Sequence, residues 1–243
     1  MSPPPGMNGI TIIGIDCATQ PDKVGLALGQ LTAAGVRLSS AAVAGDEKNL
    51  YATLQTWLTD NRRPSLLALD APLGWPAAMG SALAHHRAGS PLDGNADDLF
   101  RRETDRFVQQ TLGLRPMDVG ADRIARTARA ALEMLQRLRH DSGLAIPLAW
   151  NLPLRETAAI EVYPAGTLAA LGLPSRGYKG ADPAARRRLL DRLSDRVEPG
   201  ESRPALLASD HVFDAMLCVL AGADFLLGAC RIPGDPELAR REG

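Results

Sequence analysis

The chain has 243 residues, 45% hydrophobic and 23% charged, with a formal net charge of −1. That composition fits a globular domain with a sizeable core, and it excludes a chain built on a basic excess for nucleic acid or on a membrane-spanning apolar run. Three widely spaced cysteines (Cys17, Cys218, Cys230) with no CxxC pair exclude a disulfide framework and a thiolate zinc site, and point to a reducing, cytoplasmic compartment.

Residues 1–8 lack the basic and apolar stretches of a signal peptide and read as a short disordered lead. Residues 9–16 read as a buried strand ending on Asp16. Val24 to Gly29 and Val36 to Val43 read as the second and third strands of an antiparallel meander, joined by short turn-like links. Lys48 to Asn61 carries Leu50, Leu54, Trp57 and Leu58 at helical spacing. Leu66 to Asp70 is then a fourth strand. A crossover helix before it lets it lie parallel to the first, so that Asp16 and Asp70 reach the same carboxyl edge of the sheet, where ligand sites concentrate.

From Pro72 to about Asn151 the rhythm changes, and the segment reads as a helical insertion or cap over that edge. It holds helical patterns over Asp97 to Leu112 and Ala121 to His140, the second with Ile124, Ala128, Ala131, Leu132, Leu135 and Leu138 on one face. Thr157 to Tyr163 is a fifth strand stopped by Pro164. A short helix over Ala165 to Leu171, a basic helix over Pro183 to Val197 with Arg186, Arg187 and Arg188 at the surface, and a long helix from Ser209 to Leu227 follow. Residues 233–243 read as a flexible tail. The expected fold class is α/β, with one domain over 9–232 and the insertion inside it.

Three acids stand where a hard cation would need them. Asp16 and Asp70 each close an apolar strand, and Asp214 opens an apolar helix. Small residues after Asp16 (Cys17, Ala18) let a phosphate or metal approach the backbone. A charge at the tip of a strand as apolar as Leu66–Leu69 needs a partner. His211 and Asp214, three apart, share a helix face, and Asp210 or Ser209 reads as the helix cap. Glu161, among apolar neighbours in the fifth strand, falls near the same edge. The charges at Arg101, Arg102, Glu103, Asp105 and Arg106 read first as a solvated helix face, with phosphate contact as the functional alternative. No serine-hydrolase elbow, dinucleotide fingerprint or phosphate-loop pattern is present.

Taken in order, Gly14-Ile15-Asp16, Leu69-Asp70-Ala71-Pro72-Leu73-Gly74-Trp75-Pro76, Arg102-Glu103-Thr104-Asp105, Glu161-Val162-Tyr163-Pro164 and Asp210-His211-Val212-Phe213-Asp214-Ala215 resemble the predicted RNase H-like nucleases of domain of unknown function 429. The resemblance runs from about Ile10 to Gly228. It implies a ribonuclease H-like mixed five-stranded sheet, with strand 2 antiparallel and helices on its flanks. It also implies a site like that of the resolvase (RuvC) branch, with Asp16, Asp70, His211 and Asp214 as catalytic residues and ligands of Mg²⁺ or Mn²⁺. Glu161 would be a further ligand or support one, and Arg102, Asp105 and Arg106 would contact substrate. The activity implied is metal-dependent phosphodiester hydrolysis, on nucleic acid or a small phosphorylated substrate. The alternatives are a nucleotide-binding protein of the actin/sugar kinase/Hsp70-like superfamily, to whose first phosphate loop Gly14 to Thr19 bears a faint likeness, and a non-catalytic scaffold. No membrane or protein partner is indicated.

Overall fold

A computed structural model describes residues 10–33, 35–59 and 64–243; the lead at 1–8, Ala34 of one expected link, and Asp60 and Asn61 of the first expected helix lie outside the described residues. The chain runs β1 (Thr11–Asp16), β2 (Gly25–Thr32), β3 (Gly35–Val43), α1 (Glu47–Thr59), β4 (Ser65–Asp70), α2 (Ala77–Leu83), α3 (Ala96–Phe100), α4 (Glu103–Leu112) and α5 (Asp122–Ser142). It continues with β5 (Ala158–Glu161), α6 (Pro164–Ala170), α7 (Ala184–Arg192), β6 (Val197–Glu198), α8 (Arg203–Ala208), α9 (Asp210–Leu226) and α10 (Pro236–Glu242). The strands form one mixed sheet in the order β5-β4-β1-β2-β3-β6, in which β2 alone runs against the others.

β1 is buried along its whole length because both faces of the sheet are covered. Side chains alternate across a strand, so one residue set meets each layer. Ile12, Leu66, Ala68 and Ile160 pack with α9 through Val212, Met216 and Val219. Ile13, Ile15, Leu67 and Leu69 pack with Leu50, Leu54 and Leu58 of α1 and with Ala131, Met134, Leu135 and Leu138 of α5. α9 is apolar nearly all round, as a helix buried between a sheet and further helices must be.

Three expectations need correction. The sheet has six strands, not five: Val197, expected as the last residue of a basic helix, and Glu198 after it pair with Val36 and Arg37 of β3. Two residues are too few to show a strand's alternation. α7 stops at Arg192, where the turn through Leu193 hands the chain to the sheet edge. Within the insertion, α5 belongs to the helical layer beneath the sheet and buries Ala128, Ala131, Met134, Leu135 and Leu138. Only the stretch holding α2 and α3 has the character of a cap, with Leu99 the one buried residue in those two helices. The expected flexible tail folds into α10. Asp235 caps it by accepting from the Leu238 N–H (3.0 Å), and Pro236 suits the first helical position. Buried Glu242 then accepts from the N–H groups of Ala77 (2.8 Å) and Glu103 (2.7 Å), which ties the segment to the start of two helices.

Candidate functional site

β1 and β4 are parallel neighbours in a register that pairs Asp16 with Asp70. Even-numbered residues of both strands face α9, so the two carboxylates leave the sheet on the α9 side. The helix comes unusually close. A Cβ on Gly14 would lie 2.0 Å from the carbonyl oxygen of Ala215, and one on Gly25 would lie 2.1 Å from that of His211. Only a bare backbone at both positions lets the N-terminal half of α9 rest on β1 and β2. That contact lowers Asp214 onto the pair. Oxygens of Asp16, Asp70 and Asp214 all lie within 4.8 Å of one another. Asp16 is 7% exposed, Asp214 1%, and Asp70 partly exposed.

Three carboxylates this close repel one another, and the site's proton affinities record it. Burial, then the Asp16 and Asp214 charges, push the Asp70 carboxyl well above the ordinary range, while Lys179 acts in the opposite direction. Burial also raises Asp214, with Lys179 again opposing and Asp16 reinforcing. His211 joins through a 2.6 Å hydrogen bond between its Nδ1 and Asp16 Oδ2. That bond, stronger than the opposing desolvation, raises the imidazole's pKa. In the tautomer with its proton on Nδ1, His211 donates this bond and Asp16 accepts it. Ser209 caps α9 by accepting from the Val212 N–H (3.4 Å), which leaves Asp210 to accept from the N–H of Gly180 (3.1 Å).

Two members of the site were not foreseen. Tyr178 donates from its hydroxyl to Asp214 Oδ1 (2.7 Å), and the Lys179 ammonium lies 2.6 Å from Asp214 Oδ2. Burial works against the charge on Lys179, but Asp214, Asp70 and Asp16 outweigh it and its pKa rises. Burial and the Asp214 charge raise the Tyr178 hydroxyl. Both side chains project from a loop bracketed by Gly177 (φ 78°) and Gly180 (φ 107°). Arg186 holds the loop by donating to the carbonyls of Tyr178 (2.8 Å), Gly180 (2.7 Å) and Leu207 (2.8 Å). It is wholly buried, a correction to its expected place at the surface; Arg187 and Arg188 are exposed as expected. The available signal was compositional: Lys179 is one of three lysines among 27 basic residues, and it sits between two glycines.

Glu161 is not brought to the three carboxylates. It pairs in register with Leu69, one residue short of Asp70, so strand alternation turns it to the opposite face of the sheet. There both its oxygens meet Arg102 (2.6 and 2.7 Å), and Oε2 also accepts from the Leu73 N–H (2.8 Å). Arg102 and Asp105, expected as substrate contacts or as part of a solvated face, are buried instead. Arg102 Nη2 donates to Asp105 Oδ1 (2.9 Å), and the Asp105 carboxylate accepts from the Arg102 backbone N–H (3.0 Å) to cap α4. Arg106 is engaged by Asp98 (3.3 Å) and Glu103 (3.2 Å). These residues form a structural clamp across β5, α4 and the end of the chain, where Thr104 donates to the carbonyl of Gly243 (3.2 Å).

A family model described as "Protein of unknown function (DUF429)" matches residues 14–238, a span that includes every residue of the carboxylate site. No curated protein and no solved structure gives a significant match. No helix among the described residues is long and apolar enough to cross a membrane.

Proposed function

We propose a function from the premise that the chain belongs to the DUF429 family: it is a divalent-cation-dependent hydrolase of phosphodiester bonds, a nuclease on a ribonuclease H-like fold. The observation that carries this reading is the convergence of Asp16, Asp70 and Asp214, with oxygens within 4.8 Å of one another. An all-oxygen, all-carboxylate set suits a hard ion such as Mg²⁺ or Mn²⁺. The raised proton affinity of Asp70 and Asp214 marks a place where added positive charge is favourable. The sheet supports the fold reading, because a mixed sheet flanked by helices in which β2 alone is reversed is what the resemblance implies.

Asp16, Asp70 and Asp214 would hold the ion, which when bound supplies charge neutralisation at phosphate oxygens and a more acidic water. The chain's own groups do the rest. Asp16 fixes His211 by its Nδ1 proton, so that Nε2 is the nitrogen left to exchange a proton with a water or a leaving oxygen. The raised pKa of His211 keeps it a proton donor nearer neutral pH. Tyr178 fixes the orientation of Asp214. Lys179, with 59% of its side chain exposed, presents an ammonium at the mouth of the site to an incoming phosphate.

One observation favours a second reading, a non-catalytic scaffold: Lys179 already supplies positive charge to the cluster, and a protonated His211 adds to it. Calorimetric titration with Mn²⁺ and Mg²⁺ separates the two. The hydrolase reading requires binding to the wild type that disappears in Asp16→Asn/Asp70→Asn, and cation-dependent cleavage of an oligonucleotide that disappears with it. A wild type that neither takes up the ion nor cleaves leaves the scaffold.

A further inference from the structure

A second concavity adjoins the carboxylates and takes no part in the chemistry described so far. It is a cleft of about 630 Å³ along the outer edge of β5, walled by α4, α6, α9 and the segment after α9. That volume falls within the range of small-molecule sites. Its wall is mostly apolar. Phe107, Trp150, Tyr163 and Phe225 line it, in a chain that has only three Trp, three Tyr and four Phe.

One end of the cleft lies near the carboxylates. Val162 lines the cleft and donates its backbone N–H to Leu69 (2.8 Å), which puts it beside Asp70 at one strand spacing, roughly 5 Å. Tyr163 follows it. Burial and the Asp70 charge raise the Tyr163 hydroxyl, while Lys179 and Arg176 act against them, as expected for a ring between the cleft and the charged site. The strand edge adds polar groups. Ala159 spends its backbone groups outward, accepting from Ala149 N–H and donating to Pro147 (both 2.8 Å). By alternation, the N–H and C=O of Glu161 face the same outer side, into the cleft, and the Asn151 amide lines it too.

We infer that this cleft holds the nucleoside of a nucleotide whose phosphate lies at the Asp16–Asp70–Asp214 cluster, so that the substrate is a single nucleotide or the terminal nucleotide of a strand. The assignment rests on the hydrolase reading above. Aromatic walls offer stacking surface to any base, and backbone N–H and C=O groups offer a donor and an acceptor to a base edge. A net charge of −1 fits a small substrate better than a long duplex, whose binding draws on many basic contacts.

The test is calorimetry in the presence of Mn²⁺, with inorganic phosphate, ribose 5-phosphate and adenosine 5′-monophosphate as probes. The wild type is expected to bind the nucleotide at least about tenfold more tightly than the sugar phosphate, the scale of one base stacked on an aromatic ring. Trp150→Ala should remove most of that preference and leave ribose 5-phosphate binding unchanged. Ala170→Trp, which fills the cleft from the exposed side of α6, should do the same should Trp150→Ala fail to fold. Equal affinity for the two probes, no nucleotide binding, or a preference that survives both variants overturns the assignment while Mn²⁺ uptake leaves the hydrolase reading in place. A wild type that takes up no Mn²⁺ overturns both.

Discussion

The molecule holds two buried charge clusters a few residues apart, and they are built on opposite rules. The Arg102 charge itself is answered: its guanidinium meets Glu161 and Asp105, and those carboxylates also accept backbone N–H groups from Leu73 and from Arg102 itself. Around Asp70 charge is left over. Three carboxylates share a space less than 5 Å across, opposed by one ammonium and one imidazole. In the first cluster each carboxylate meets the guanidinium; the second carries more negative charge than its neighbours offset. The difference is a single step of strand register, since Glu161 and Asp70 sit on adjacent rungs of adjacent strands and face opposite sides of the sheet.

Mutation should pull the two clusters in opposite directions. The largest effect is expected at Arg102. Arg102→Ala leaves Glu161 and Asp105 buried without their counter-ion and should cost about 3–5 kcal/mol in urea unfolding. A loss under about 1 kcal/mol would dissolve the contrast, since typical exposed pairs are worth no more than that. At Asp70 the sign reverses. Asp70→Asn removes a carboxylate whose charge the fold disfavours, so without divalent ions at neutral pH stability should hold or rise, while Mn²⁺ binding is lost. Unfolding of that variant would move Asp70 into the structural class.

A pH series in chelator should sharpen the same contrast. Asp70 and Asp214 have folded-state pKa values above their unfolded ones, so between the two values the native state binds more protons. Stability therefore falls as pH rises from about 4 through their raised values. His211, also raised, adds stability that is complete below its unfolded pKa of about 6.5 and lost as pH climbs through the folded one. Thermal unfolding should show this downward slope, and Mn²⁺ should flatten it. A slope unchanged by Asp70→Asn would assign it elsewhere. The smallest effect belongs to Tyr178→Phe, which removes one hydrogen bond to Asp214 but keeps the ring against Phe213. It should cost about 1 kcal/mol.

The contrast also explains what the sequence could and could not tell. Asp16, Asp70, His211 and Asp214 were legible because each closes or opens an apolar element, and that position is local. The parallel pairing of β1 and β4 followed from the helix between them. Glu161 was misplaced because its side of the sheet depends on register across strands, which no single segment encodes. Arg102 and Arg186 looked like surface charge because their burial is made by distant partners: a strand residue 59 positions on, the chain end, and the carbonyls of a loop; Asp105 is buried with Arg102. Tyr178 and Lys179 lie outside regular structure, where periodicity says nothing.

The bare backbone at Gly14 and Gly25 sets limits on how such a chain can change over generations. The N-terminal half of α9 rests on those two positions, so a single methyl group there would lift His211 and Asp214 away from their partners and loosen the core in one stroke. The α2 and α3 segment bears no comparable constraint, with Leu99 the one buried residue in those helices. Substitutions can therefore alter most of α2 and α3 without touching the two glycine contacts that set the height of α9 above the carboxylates.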